Sequence, residues 1–233
     1  ANFTDEKNTL MLISLMKKHG IKKVIASPGT TNVAFVATVQ QDEYFEVFSA
    51  YDERSAAYMA CGMAVESGEP VALSCTQATA SRNYLSGLTE AYYRKIPILA
   101  ITSTQHLGRI GQNFQQAIDR SIQPVDSVKL SVQVPVIHSE DDEWYCNVLL
   151  NRALLELRRN GNGPVHINLT TAYSMEFPVR EIPKVRVIRR IGFLDSFPAV
   201  YPKIDISKKI AIFVGAHKKW SNELEEAVDE FCQ

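Results

Sequence analysis

The sequence lacks the features that quickly identify several classes of protein. It contains no G-x-G-x-x-G or Walker-type glycine run, so the usual phosphate-binding turns of dinucleotide- and nucleotide-binding proteins are absent. Its four cysteines share no metal or redox spacing. The net charge of −1 gives no general attraction to nucleic acid. The first residues are polar, and no apolar run approaches membrane-spanning length. We expect a cytoplasmic protein without a nucleic-acid or membrane partner.

What is present is the composition and patterning of an α/β protein. The 233 residues are 45% hydrophobic and 22% charged, which is enough to bury a substantial core. Predicted helices and strands alternate from residue 5 to residue 172. They include a helix from Thr30 to Gln41 with Thr30 or Thr31 as its N-cap, and a helix from about Ser81 to Arg94. This order is typical of a three-layer fold in which helices cover both faces of a parallel sheet.

The pattern changes in the last quarter of the chain. We predict a first domain over residues 1–175 and a linker over 176–208, where proline is frequent and periodicity is weak. Residues 209–215 are predicted as a strand and 222–231 as a helix. One strand and one helix cannot form a core. Residues 209–233 are therefore interpreted as the truncated start of a second α/β domain.

Glu53 is the first candidate for a functional side chain. It follows the run FEVFSA, interpreted as a buried strand, and precedes a helix predicted from Arg54 to Ser67. Ligands of open parallel sheets bind beyond the carboxyl ends of the strands, where Glu53 is placed. The alternative is an acidic residue favoured by the helix dipole alone. Asp52 is better explained as the N-cap.

Five motifs in order resemble the pyrimidine-binding (PYR) domain of thiamine-diphosphate enzymes. The closest branches are acetolactate synthases and the menaquinone-pathway succinyl-enolpyruvyl-hydroxycyclohexene-carboxylate synthases. The similarity covers roughly residues 5 to 172 and predicts the thiamine-diphosphate-binding fold. The motifs are SPGTTN, YDERSAAYMACGMA, SCTQATASRNYLSGLTEAYYRKIPILAIT, GQNFQQAIDR and GPVHINL.

The resemblance implies a catalytic role for Glu53. In the family, a glutamate at this position hydrogen-bonds N1′ of the cofactor's aminopyrimidine and so promotes removal of the proton from thiazolium C2. The cofactor then serves as an electron sink for decarboxylation of a 2-oxo acid. Thiamine diphosphate is the implied cofactor. Its diphosphate and Mg²⁺ are held in the family by a Gly-Asp-Gly motif that this chain lacks.

The resemblance also implies further site residues. Gln116, or its neighbour Gln115, matches a glutamine that reaches the substrate, although a surface loop amide is an equally good interpretation. No residue of the chain is predicted to bind metal. The residues implied for cofactor binding are Pro28, Gly29, Thr30, Thr76, Thr79 and Asn83.

The chain departs from the family pattern at four positions. Thr31 stands where the menaquinone enzymes have an arginine for an acidic substrate, which argues against their particular reaction. Gln77 and Ala78 replace a serine and a glycine, and a Cβ at Ala78 restricts the backbone. Arg82 is unusual in this loop; it is a candidate contact for an anionic substrate, but a surface salt bridge is the favoured interpretation.

These observations predict the N-terminal cofactor-activating domain of an acetolactate-synthase-like enzyme that cleaves or forms a C–C bond, a lyase or transferase inactive as the isolated fragment. Its expected partners are a second subunit of a homodimer or homotetramer and a small 2-oxo acid. The alternatives are a non-catalytic homologue used for dimerisation or regulation, or one subunit of a split decarboxylase. A generic nucleotide-binding domain is disfavoured because its glycines are absent.

Overall fold

The computed structural model describes residues 1–190, 205, 207–215 and 220–232. The chain divides into two compact units, Ala1–Arg190 and Ile191–Gln233. In the second unit, helix α7 covers Asn222–Cys232, close to its predicted position. The strand predicted over 209–215 is wrong, because these residues form no strand. The start of a second α/β domain therefore stays a prediction.

The first unit is built on a six-stranded sheet in which every strand pair is parallel. The spatial order is β2-β1-β3-β4-β6-β5. Val24 of the central strand β1, for example, lies opposite Val47 on one side and Ala72 on the other. The strands are β1 (Lys23–Ala26), β2 (Glu46–Ser49), β3 (Val71–Cys75), β4 (Ile98–Thr104), β5 (Ser131–Val134) and β6 (Val165–Thr170).

Six helices cover the two faces of the sheet, which confirms the predicted three-layer α/β fold. One layer contains α1, α2 and α6, and the other contains α3 and α5, with the short α4 leading into α5. The helices are α1 (Lys7–Lys18), α2 (Val33–Gln41), α3 (Glu53–Ser67), α4 (Thr79–Asn83), α5 (Leu85–Tyr93) and α6 (Glu140–Glu156).

Local sequence explains where α3 begins and ends. The Asp52 carboxylate accepts hydrogen bonds from the Ser55 amide at 2.8 Å and the Ser55 hydroxyl at 2.6 Å, so the predicted N-cap is confirmed. These bonds lower the pKa of Asp52. Gly68 ends the helix in the left-handed conformation, φ +68°, that glycine adopts without steric cost.

Two local predictions are wrong. The run at β2 forms a strand, but it is an edge strand with mostly exposed side chains and not a buried one. A helix predicted from Ser81 to Arg94 is divided at Tyr84 into α4 and α5. Apolar residues alone do not distinguish an edge strand from a central one, because a short apolar run occurs in both.

Residues 176–190, the first part of the predicted linker, belong to the first unit and pack against its helices. Val179 pairs with Phe3, and the Ser14 hydroxyl donates to the Pro183 carbonyl at 2.6 Å. Asn151, fully buried in α6, donates to the Arg186 carbonyl at 3.0 Å and accepts from the Ile188 amide at 2.8 Å. This segment thus closes the outer side of the layer of α1 and α6. The domain boundary near residue 175 stays a prediction.

Candidate functional site

The sheet has a topological switch point between β1 and β3. From β1 the chain continues to β2 on one side, and then returns to form β3 on the other side of β1. In open parallel sheets, a crevice for ligands opens at the carboxyl ends of the two strands where the direction reverses. Predicted site residues follow both strands at this point, Pro28 and Gly29 after β1 and Thr76 after β3.

The turn after β1 approaches the end of β3 more closely than a side chain would allow. A Cβ atom added to Gly29 would lie 2.4 Å from Cγ2 of Thr76, so a side chain here would force the Thr76 side chain to move. The buried Asn32 holds the turn in place. Its side-chain oxygen accepts from the Gly29 amide at 2.8 Å, and its Nδ2 donates to the Ser27 carbonyl at 3.2 Å and the Ser74 hydroxyl at 3.0 Å.

Thr30 and Thr31 do not act as the predicted N-cap of α2. They form a short 3₁₀ turn with Asn32, and α2 begins after it without a side-chain cap. Thr30 is exposed, whereas Thr31 is buried and its hydroxyl has no hydrogen-bond partner among the described residues. An open pocket of about 360 Å³ lies beside this turn and continues along the outer side of α2; its lining includes Pro28, Gly29 and Thr30.

Glu53 occupies the first position of α3, directly after the edge strand β2 and its short connection. The side chain is half-buried. Asn83, the last residue of α4, donates from Nδ2 to Oε2 of Glu53 at 3.4 Å. The other carboxylate oxygen accepts no hydrogen bond from the described residues. The structure therefore brings together two predicted site residues, one from each side of the switch point, and leaves the carboxylate able to bind a ligand.

The segment between β3 and α4 has an unusual backbone. Ala78 adopts φ +54° and ψ −123°, a conformation that favours glycine and is strained for alanine. Gln77 is buried, and its Nε2 donates to the Tyr173 hydroxyl at 3.3 Å, while its Oε1 has no hydrogen-bond partner among the described residues. Thr79 is exposed at the start of α4.

Arg82 does not form the surface salt bridge favoured by the sequence interpretation. Its Nη2 donates to the backbone carbonyl of Asp119 at 2.9 Å, and no carboxylate among the described residues pairs with it. This bond fastens the long segment between β4 and β5 to α4, so the two predicted loops of the site are joined.

Gln116 lies in that long segment, is exposed and has φ +59°. The backbone of its neighbour Gln115 is held by Gln105, whose Nε2 donates to the Gln115 carbonyl at 3.3 Å. No contact joins Gln116 to Glu53 or to the turn at Gly29, so its role in substrate binding stays a prediction.

Arg120 and Asn32 were missed as candidates. Arg120 is only 2% exposed and donates from Nη2 to the Ser103 carbonyl at 2.5 Å, at the end of β4. Arginine is rarely buried, and its sequence context gives no sign of burial. Asn32 had a usable signal, since asparagine near a Pro-Gly turn often hydrogen-bonds the backbone locally.

The three buried cysteines do not carry activated thiols. Burial raises the pKa of the Cys75 and Cys146 thiols to about 12 and that of Cys61 to about 11, so all three stay protonated near neutral pH. No cluster of three or more His, Cys, Asp or Glu side chains suited to a metal ion occurs in the described part of the chain. None of its helices is long and apolar enough to span a membrane.

Comparison with known proteins gives a consistent result. The profile of a family described as "Thiamine pyrophosphate enzyme, N-terminal TPP binding domain" matches residues 8–123. The chain is similar to proteins named 2-succinyl-5-enolpyruvyl-6-hydroxy-3-cyclohexene-1-carboxylate synthase. The relative from Bacteroides thetaiotaomicron is 40% identical over 200 residues, 85% of this chain and 36% of that protein.

Two further relatives carry the same name. The protein from Phocaeicola vulgatus is 37% identical over 203 residues, covering 87% of this chain and 36% of the relative. The protein from Porphyromonas gingivalis is 34% identical over 171 residues, covering 73% of this chain and 30% of the relative. The chain therefore spans about a third of the length of the curated relatives it matches.

Proposed function

Because this chain belongs to the thiamine pyrophosphate enzymes and carries their N-terminal TPP binding domain, we propose that it supplies the pyrimidine-binding half of an active site. Glu53 is the proposed catalytic residue. The observation that supports this best is a half-buried carboxylate at the switch-point edge, with one oxygen hydrogen-bonded to Asn83 and the other without a partner among the residues that the structure describes.

The residues present fit an aminopyrimidine better than a diphosphate. Gly29 and Thr76 pack closely where β1 and β3 end, and Glu53 offers to a ring nitrogen a carboxylate oxygen that accepts no hydrogen bond from the described residues. We propose that the turn from Pro28 to Thr30, together with Thr76, Thr79 and Asn83, contacts the pyrimidine. The chain has no Gly-Asp-Gly, so diphosphate and Mg²⁺ are proposed to bind to another domain.

The proposed reaction is formation or cleavage of a C–C bond next to the carbonyl of a 2-oxo acid. When bound, thiamine diphosphate supplies an electron sink for this chemistry. The task of this chain is to hold the aminopyrimidine and to place a proton on the Glu53 carboxyl near a ring nitrogen. The product in the relatives' name is not transferred to this chain, because Thr31 replaces the arginine that the resemblance leads one to expect and is itself buried.

We also propose that a second subunit covers the outer face of α3. Tyr58, Gly62 and Val65 follow one another at helical spacing on this face, and Tyr58 and Val65 are 49% and 54% exposed. Nearby in sequence, Tyr51 is 99% exposed. Large apolar side chains of this kind at one helix face are typical of subunit interfaces. A homodimer or homotetramer is the proposed assembly, and a cytoplasmic location stays a prediction.

This interface has a matched test. Tyr58→Lys is expected to raise the dissociation constant of the assembly at least about tenfold, because it places a charge in an apolar contact. Trp144→Lys alters an aromatic side chain that is similarly exposed, on α6 in the other helical layer, and is expected to leave the assembly unchanged. Sedimentation velocity measures both. Equal behaviour of the two variants would refute the α3 interface.

A second candidate function, a non-catalytic homologue used for dimerisation or regulation, is favoured by one observation. Gln77 and Ala78 stand where the family's loop has a serine and a glycine. The backbone of Ala78 is strained at its positive φ. A split decarboxylase with a separate diphosphate-binding subunit is the remaining alternative.

Turnover distinguishes these functions. The complete protein with thiamine diphosphate and Mg²⁺ is expected to release CO₂ from a 2-oxo acid, and the Glu53→Ala variant is expected to lose this activity. The isolated 233-residue chain is expected to be inactive. Absence of both cofactor binding and turnover in the complete protein would favour the non-catalytic homologue.

A further inference from the structure

Arg120 is a buried cation whose hydrogen-bonding capacity is largely unused. The side chain is 2% exposed, and Nη2 donates to the Ser103 carbonyl at 2.5 Å. Nε and Nη1 are also buried but have no hydrogen-bond partner in the described part of the chain. A guanidinium presents five N–H donors in a planar fork, so most of this fork faces no acceptor.

A buried guanidinium without acceptors destabilises the folded protein. An anionic ligand that accepts its hydrogen bonds would remove this cost. A buried charged donor without an acceptor loses its hydration and gains no hydrogen bond in return. Holding the loop against the Ser103 carbonyl requires only one donor, which a neutral amide would provide at a lower desolvation cost. The hydrogen bond to Ser103 therefore explains neither the unused donors of Arg120 nor its charge.

No carboxylate of the described residues balances this charge. The adjacent Asp119 carboxylate accepts from the Ser121 amide at 2.8 Å and the Ser121 hydroxyl at 2.7 Å, and it forms no ion pair with Arg120. The groups that interact electrostatically with Arg120 are the Cys75 thiol, the Arg82 guanidinium and the His166 ring, none of which is an anion near neutral pH. Burial lowers the pKa of Arg120 to about 10, so it stays charged.

The position of Arg120 connects it with the candidate site. Its guanidinium lies at the carboxyl end of β4, next to β3 in the sheet. Both Arg120 and Glu53 are close enough to the Cys75 thiol to influence its pKa. Beneath the segment that carries Arg120, the face of β6 is polar, with the buried side chains of His166 and Asn168.

We propose that Arg120 binds the carboxylate of an anionic substrate at the carboxyl end of β4. This inference rests on the proposed function, since it assigns a charged group of the 2-oxo acid to a residue beside the proposed cofactor site. The carboxylate accepts a charge-assisted hydrogen bond from one of the two unused donor nitrogens, Nε or Nη1. Entry requires displacement of the 105–129 segment, which is attached near Arg120 by the bond from Arg82 to Asp119.

The test uses the 233-residue chain labelled with ¹⁵N at arginine, without cofactor. Pyruvate is the probe, methyl pyruvate is the uncharged control and inorganic phosphate is the competing anion. We expect the Arg120 Nε–H resonance to shift saturably with pyruvate and not with methyl pyruvate. Loss of charge-assisted hydrogen bonds in Arg120→Gln is expected to weaken pyruvate binding by about tenfold or more. Arg152→Gln is the control and is expected to change it by less than about threefold, because Arg152 is an exposed residue of α6.

Several results would overturn the inference. They are an Arg120 signal that pyruvate does not move, an equal response to methyl pyruvate, tighter binding of phosphate than of pyruvate, or equal losses in the two variants. If Arg120→Gln does not fold, Arg120→Lys retains the charge, and the wild-type titration decides by itself. Because no thiamine diphosphate is present, the outcome is independent of whether Glu53 activates the cofactor.

Discussion

The two helical layers of the first unit are constructed differently. The layer of α1, α2 and α6 packs large side chains such as Leu12, Phe35 and Leu150 against the sheet, and residues 176–190 cover its outer side. The layer of α3 and α5 packs mainly through alanines, and its outer face exposes Tyr58 and Val65.

The difference indicates that the layer of α1, α2 and α6 mainly stabilises the fold, whereas the layer of α3 and α5 carries the proposed site. The first layer is completed by the chain's own residues and contains none of the proposed catalytic groups. The second begins at Glu53 and is joined to the strained segment at Ala78, so its small residues place two functional loops close together. An open outer face there is consistent with a partner subunit, as proposed above. The four predictions that follow test this contrast.

The largest effect on the free energy of unfolding is expected in the layer of α3 and α5, where small residues pack closely. A Cβ added at Gly87 of α5 would lie 2.5 Å from Cβ and 3.0 Å from the backbone carbonyl carbon of Ala57 in α3. Gly87→Ala is therefore expected to lower the free energy of unfolding by about 2–3 kcal/mol, through overpacking. Denaturant unfolding measures it. Ser86→Ala, at an exposed neighbour in the same helix, is the control; equal effects would contradict tight packing at Gly87.

Asn151 holds residues 176–190 against the layer of α1, α2 and α6. Asn151→Ala removes the acceptor of the Ile188 amide and a donor to the Arg186 carbonyl, so we expect a loss of about 2 kcal/mol from unmade buried hydrogen bonds. Amide exchange at Ile188 should accelerate at the same time. Asn162→Ala, at an exposed position, is the matched control. Unchanged protection of Ile188 would show that residues 176–190 are held by other contacts.

The buried histidine His166 on β6 is expected to make the free energy of unfolding depend on pH. Burial lowers the pKa of His166 from its ordinary 6.5 to about 3. Its ring nitrogens contact the hydroxyls of Thr102 and Ser131, each at 2.7 Å. Because the unfolded chain binds this proton first, the stability contributed by the neutral ring is complete above pH 6.5 and decreases as pH falls towards 3.

His166→Gln is expected to reduce the slope of unfolding free energy against pH within this window. The reduction should approach one proton, or about 1.4 kcal/mol per pH unit. Urea unfolding between pH 7 and pH 4 measures the slope. An identical slope in the variant and the wild type would mean that the ring is protonated in the folded protein.

The smallest effect is expected at the strained segment. Ala78→Gly should stabilise the chain by about 1 kcal/mol, because glycine adopts φ +54° without steric cost. Ala80→Gly, two residues later within α4, should instead destabilise it by about 1 kcal/mol. If both substitutions destabilise the chain equally, the backbone at Ala78 is not strained.

Much of the fold could be predicted from sequence because periodicity and turn residues carry it. The α/β alternation, the Asp52 cap and the helix after Glu53 follow from local patterns and are confirmed. The exposure of β2 could not be predicted, since an apolar edge strand has the same composition as a buried one. The break at Tyr84, whose ring is fully buried, has no local sequence signal such as proline or glycine.

The candidate site could be predicted in part. The motifs indicated Glu53, Asn83, Gly29 and Thr76, and the structure joins these in two pairs. Ala78 was noted as a departure, but its φ depends on tertiary context. Burial of Arg120 was not predictable, because composition favours an exposed arginine.

The central claim is that Glu53 is the cofactor-activating carboxyl. Its most direct test is the rate of hydrogen–deuterium exchange at C2 of thiamine diphosphate bound to the complete protein, followed by ¹H NMR after rapid acid quenching. The account predicts that Glu53→Gln slows this exchange by about 10²-fold or more while the cofactor stays bound, as expected for loss of a general acid–base group. Exchange at the wild-type rate in the cofactor-bound variant would contradict it.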